Sequence, residues 1–164
     1  MIDRHLKTKD EILGFCKEQQ NKNEAELFFS FAERENLKEV FKMTAKYYSF
    51  SFFLQNSPRA LFKMDLNDKD LRIKAQLFFI EGHNDDLEKL SDNLKNMIKN
   101  TPDCTRCSMQ CKQGVRFMLD GESRFTCINE GHYFKDMTFK ECEELISLLQ
   151  SEYRFIQQMK QKQE

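Results

Sequence analysis

Four cysteines carry the only concentration of reactive side chains in this chain. Three fall in Cys104-Thr-Arg-Cys107-Ser-Met-Gln-Cys111, and Cys127 follows sixteen residues later. A C-x2-C pair in a tight knuckle presents two thiolates to one tetrahedral ion at about 2.3 Å each. Cys111 is close enough in sequence to join them. Cys127 is far in sequence, but the intervening residues have the pattern of a hairpin. Val115 to Leu119 and Ser123 to Cys127 are strand-like, and Asp120-Gly121 between them is a type I′ turn signal. A hairpin returns its far end to its start, so four thiolates converge on one structural zinc ion, with Cys104, Cys107, Cys111 and Cys127 as ligands. His132, five residues after Cys127, is a substitute ligand; otherwise it is a loop histidine. A plainer reading leaves the cysteines as buried thiols, since free Cys often behaves as a small hydrophobe. A third reading uses Cys104 and Cys107 in thiol redox chemistry, because C-x2-C also serves that purpose. The spacing lacks the C-x2-C-x2-C-x3-C-P run of bacterial ferredoxins, which argues against an iron–sulfur cluster.

The elements that must hold this stretch are read from periodicity. Thr8 and Glu11 form a capping box that opens a short helix carrying Ile12, Phe15 and Cys16 on its apolar side. Asn21-Lys-Asn23 is expected to interrupt it. A second helix is expected from about Glu24 to Arg34, burying Leu27, Phe28 and Phe31. Asn36 then reads as the cap of a third, because Leu37, Val40, Phe41 and Thr44 follow helical spacing. Beyond Thr44 the period changes to two. Tyr47 to Leu54, Arg59 to Leu66 and Asp70 to Phe79 each alternate apolar with polar residues, joined by short turns. They predict a three-stranded antiparallel meander with one buried face.

After it, Asn84 caps a predicted helix begun by Asp85 and Asp86, with Leu87, Leu90, Leu94, Met97 and Ile98 as its stripe. Thr101-Pro102 ends it. Thr138 and Glu141 make a second capping box. The helix after it carries Phe139, Cys142, Ile146, Leu149, Tyr153 and Ile156 at steps of three and four. The sum is an α+β fold: an antiparallel sheet of about five strands, the meander plus the second hairpin, with helices packed mainly on one face. Residues 1–156 are expected to form one domain or two small lobes. These comprise a helical part at 1–46, the meander and helix at 47–100, and the cysteine knuckle, hairpin and helix at 101–156. Residues 157–164 read as a frayed polar tail.

Composition narrows the function. The chain has 164 residues, 40% hydrophobic, with sixteen Phe, enough for a core. Its net charge of −1 argues against a dedicated nucleic-acid binder. A nucleic-acid-binding zinc module using Arg106, Lys112, Arg116 and Arg124 remains as an alternative. The aromatics of the Tyr47 to Phe53 strand would suit stacked bases, but the charge balance favours a sheet core. No apolar h-region opens the chain and no window matches a membrane span, so a soluble cytoplasmic protein is expected, with its thiols reduced. Glu81, His83, Asp85 and Asp86 crowd one loop, where acid–base or metal chemistry is conceivable. Acids at a helix start and a solvated histidine explain them more simply. No nucleotide-binding loop, nucleophile elbow or H-E-x-x-H motif is present. The expected role is a non-enzymatic binding or regulatory module, with a small molecule or protein as partner. The last helix's stripe would also serve a homodimer seam.

Overall fold

The structure, a computed structural model, describes residues 2–16, 19–101, 114–127 and 131–162. The fold is α+β. A five-stranded antiparallel sheet has the order β1-β2-β3-β4-β7, and β5 and β6 form a separate two-stranded sheet. The strands are β1 Lys38–Met43, β2 Tyr48–Phe53, β3 Ala60–Leu66, β4 Leu71–Ala75, β5 Gly114–Leu119, β6 Glu122–Cys127 and β7 His132–Lys135. The helices are α1 Lys9–Phe15, α2 Gln19–Arg34, α3 Asn84–Glu88, α4 Asp92–Lys99 and α5 Phe139–Gln161. The meander stands as expected, with β2, β3 and β4 adjacent in order. The second hairpin, however, stays outside the main sheet, whose remaining places go to β1 and β7. The chain divides into two compact units, residues 1–74 with 134–143, and residues 75–133 with 144–164.

In the first unit, the Thr8 side chain accepts from the Glu11 amide while the Glu11 carboxylate accepts from the Thr8 amide. This is the capping box read from the sequence. Helix α2 runs straight through Asn21–Asn23, where a break was expected. Asn21 turns its amide outward to donate to the Lys69 carbonyl at 2.7 Å, and Gln20 donates to Glu24. The small helix-propensity cost of Asn, a few tenths of a kcal/mol (~0.5), is outweighed by burial of Phe28, Phe29 and Phe31 on the same helix.

The third expected helix is strand β1. Asn36 does not open a helix; it closes α2. Its φ of 50° is left-handed, Leu37 N–H donates to the Ala32 carbonyl and Asn36 N–H to the Glu33 carbonyl. Those two bonds are a Schellman motif, which reverses the chain. Residues 38–43 then pair with β2, and Phe41 lies opposite Phe50 with ring centroids 5.0 Å apart.

The sheet's buried face follows from register. Tyr48 pairs with Leu66, Phe50 with Met64 and Phe52 with Phe62, and all six are buried. The alternate pairs, Ser49 with Asp65 and Ser51 with Lys63, are polar. Phe28, Phe29 and Phe31 of α2 close over this face, within 4.9–5.9 Å of Phe50, Phe52 or Phe62. The buried Tyr48 hydroxyl both accepts from the Asp3 amide and donates to the Asp3 carbonyl, at 2.6 and 2.7 Å. The aromatic strand is therefore core and offers no open stacking platform.

In the second unit, the single helix expected from Asn84 is two, α3 and α4, preceded by a 3₁₀ turn at Ile80–Gly82. His83, not Asn84, sits at the cap position of α3. The chain breaks at Ser91, whose N–H donates to the Glu144 carboxylate at 2.8 Å. Leu87, Leu90, Leu94 and Ile98 remain buried on either side of the break.

Between β5 and β6, Asp120 and Gly121 have φ of 49° and 74°, the two left-handed residues of a type I′ turn. The Asp120 carboxylate accepts from Lys95 at 2.9 Å and Lys99 at 2.5 Å, and its N–H donates to Glu88 at 3.1 Å. The two ammonium groups hold that carboxyl below the usual range. The hairpin's turn is thereby fastened to α3 and α4.

Helix α5 opens at the Thr138–Glu141 capping box. Its buried positions are Glu141, Cys142, Leu145, Leu148, Leu149, Glu152 and Ile156, so the burial face is rotated from the expected stripe. Phe139 is 45% exposed. The helix continues to Gln161, through the stretch expected to fray from 157. Among the described residues, no helix is long and apolar enough to cross a membrane.

Candidate functional site

Of the four cysteines read as zinc ligands, Cys104, Cys107 and Cys111 lie outside the described residues, as do Arg106 and Lys112. Cys127 is the last residue of β6, and its Cα partner is Gly114, the first residue of β5. The hairpin thus returns its end to its start, as the Asp-Gly turn predicts. Gly114 follows Cys111 by three residues, a reach of about 11 Å at most. Register also assigns faces. Cys127 shares one side of the hairpin with Gly114, Arg116, Met118, Ser123 and Phe125, while Phe117, Leu119, Arg124 and Thr126 lie on the other. On the first side Arg116, Met118, Ser123 and Phe125 are exposed, whereas Cys127 is only 6% exposed. The Phe125 ring lies directly on Gly114, where even a methyl group would overlap it. Among the described residues no group of three or more His, Cys, Asp or Glu is placed to hold a metal.

Of the other two cysteines, Cys142 is buried in the core as expected, whereas Cys16 is half-buried at the C-cap of α1. Burial pushes the Cys142 thiol far above its ordinary range and the Cys16 thiol up to about 11. Both stay protonated, and a thiol is a poor nucleophile beside a thiolate.

The loop histidine of the Glu81–Asp86 cluster is not solvated. His83 is 5% exposed, and its Nε2 lies 2.7 Å from Oε2 of Glu152, a residue of α5 with no exposure. The second carboxylate oxygen of Glu152 accepts from the Phe79 amide at 3.2 Å. Phe155 meets the imidazole edge-on at 5.8 Å. Asp86 stands 3.9 Å from Nδ1, while Glu81 and Asp85 face solvent. A distance of 2.7 Å is at the short end for charge-assisted hydrogen bonds. Both carboxylate oxygens of Glu152 are answered, so the arrangement fixes α5 against the loop before α3. Sequence reading missed Glu152, which lies among Gln150, Ser151 and Arg154 and whose partners are distant in the chain.

His132 opens strand β7 and is 2% exposed, not a loop residue. Its Nδ1 shares a 3.0 Å hydrogen bond with the Thr101 hydroxyl, and Phe117 meets its ring edge-on at 6.4 Å. The imidazole borders a cavity of about 300 Å³ beside α4 and along strand β6, together with Lys99, Thr101, Phe117, Arg124 and Phe125.

Burial pushes the His132 pKa down to about 4 from an ordinary 6.5. The folded chain therefore keeps this imidazole neutral where the unfolded chain protonates it. Its contribution to stability is full above pH 6.5 and is lost as pH falls from 6.5 to 4, up to about 3 kcal/mol. Urea unfolding of wild type and His132→Gln between pH 7 and 4.5 should show a flatter pH dependence in the variant. Parallel curves would mean that His132 titrates normally.

Comparison of the chain with protein-family models, with curated proteins and with solved structures finds no match.

Proposed function

We propose that this chain is a non-enzymatic binding or regulatory module, whose segment from Cys104 to the hairpin is ordered by a structural zinc ion. The ligands are Cys104, Cys107, Cys111 and Cys127. The observation that carries the reading is the burial of Cys127 at one end of a hairpin side whose Arg116, Met118, Ser123 and Phe125 are exposed. The register sets that sulfur beside the point where the Cys104–Cys111 segment enters the hairpin. A closed tetrathiolate site needs a buried fourth sulfur at that place. The residues from Cys104 to Cys111 have Met109 as their one large apolar side chain, so burial contributes little to ordering them. Metal binding would supply that order as folding free energy. The setting is a reducing cytoplasm, and the partner is a small molecule or a protein; a net charge of −1 gives no general attraction to nucleic acid.

The test is metal and thiol analysis of protein purified without added zinc. Close to one zinc per chain is expected, with four more titratable thiols after a strong chelator. Hydrogen exchange should then show early loss of amide protection across 114–127, with little change across 48–66. Cys107→Ser should reproduce that pattern. Metal-free protein, with exchange indifferent to chelator, would leave the cysteines as ordinary thiols and end the proposal.

A further inference from the structure

The cavity beside His132 has a lining suited to a ligand of definite charge. Lys99 and Arg124 border it, and no Asp or Glu among the described residues does. Each cation does have a carboxylate partner, Asp120 for Lys99 and Glu122 for Arg124, both at 2.5 Å. Those partners lie at the hairpin's turn and outside the lining, and neither exhausts its cation. An ammonium has three N–H donors and a guanidinium five.

The Nε of Arg124 is buried and has no hydrogen-bond partner among the described residues. A buried donor of a charged group without an acceptor is costly, and native structures seldom leave one so. Arg124 lies on the same side of the hairpin as Phe117, and both border the cavity, which runs along β6 from Ser123 to Thr126. The rest of the lining gives the ligand a shape. The Thr101 hydroxyl and the His132 imidazole add polar contacts, and the Phe117 and Phe125 rings add apolar wall. A volume of about 300 Å³ is at the lower end for small-molecule sites.

We infer that this cavity binds a small organic oxyanion, its carboxylate or phosphate group on Arg124 and Lys99 and its apolar body against Phe117 and Phe125. The anionic group accepts from free Nη–H donors of Arg124 and from the Lys99 ammonium, the guanidinium supplying the planar recognition that an ammonium does not. This site uses no cysteine and goes beyond the metal proposal. Its probes report on it separately from any zinc count.

The experiment titrates benzoate, phenyl phosphate and inorganic phosphate into the intact chain by calorimetry at one fixed ionic strength. Saturable one-site binding of benzoate or phenyl phosphate is expected, and the tighter of the two identifies the head group. Inorganic phosphate should bind more weakly, since it leaves the Phe117 and Phe125 wall uncovered. Arg124→Lys keeps the charge and loses the planar Nη–H donors, so it should weaken the preferred probe roughly ten- to a hundredfold, the range for one charge-assisted hydrogen bond. Lys89→Arg, exposed at the end of α3 and outside the lining, should leave affinity unchanged. If Arg124→Lys disturbs folding, Lys99→Gln serves as the second variant, with a clear loss expected. No saturable heat with either organic probe would overturn the inference. So would inorganic phosphate binding as tightly as phenyl phosphate, or Lys89→Arg costing as much as Arg124→Lys.

Discussion

Glu152→Ala is expected to lower the free energy of unfolding by about 2–5 kcal/mol, the cost of leaving two hydrogen-bonding groups without their partner at roughly 1–3 kcal/mol each. The substitution leaves two donors without acceptors, the His83 Nε2–H and the Phe79 N–H, in surroundings that water does not reach. It also leaves a void at a fully buried position of α5. Glu152→Gln should cost less, because its carbonyl oxygen can still serve one donor. The pair itself is replaceable. His83→Phe with Glu152→Leu removes both polar groups together and should recover most of the loss. Urea unfolding of the two single variants and the double variant gives the coupling directly. A loss below about 1 kcal/mol for Glu152→Ala, the scale of an exposed pair, would show that His83 and Glu152 are not joined as described.

The second large effect belongs to the other unit. Phe62→Ala should cost about 3–5 kcal/mol, the range for deleting a buried aromatic ring. Phe62 is fully buried and is the meeting point of three rings. Phe52 stacks on it at 4.5 Å, and Phe28 and Phe31 of α2 lie at 5.8 and 5.9 Å. Rigid neighbours on both sheet and helix leave little room for collapse into the void, so the cost should fall in the upper part of that range. Faster amide exchange in β2 and β3 should accompany it. Phe62→Leu, which keeps most of the volume, should lose well under half as much. If the Ala and Leu variants were equally stable, this ring could not be the centre of the core.

How much of this was legible in the sequence depended on whether the signal was local. Thr8 with Glu11, and Thr138 with Glu141, specify helix starts through bonds made within four residues, and both are present. Asp120-Gly121 specifies its turn in the same way. Leu37, Val40 and Phe41 satisfy a helical spacing and a strand equally well. Asn36 decided between them by taking a left-handed φ, a choice made by the end of α2. Strand β7 went unseen because it is four residues long and its inward positions are His132 and Phe134, one of them polar. The rotation of α5 and the burial of Glu152 were illegible for a different reason. Each depends on a partner about seventy residues away, and no window along α5 contains His83 or Phe79. Candidate chemistry followed the same division. The return of Cys127 to the hairpin's start could be read from a two-residue turn, while the unanswered Nε of Arg124 needed the cavity around it.

The fastening of Asp120 to Lys95, Lys99 and Glu88 has a consequence at the far end of the hairpin. Strand pairing repeats every two residues, so sliding β6 by one position against β5 would turn all its side chains over. Cys127 would then share the side of Phe117 and Leu119, and Arg124 would leave it. A loosely held two-stranded ribbon drifts in this way at little cost. Here the loop end is clamped by two ammonium groups and a carboxylate, and six residue pairs transmit that alignment to Gly114 and Cys127. The clamp therefore behaves as the zero mark of a ruler. It sets which sulfur faces which way at one end and which guanidinium faces the cavity, although it touches neither.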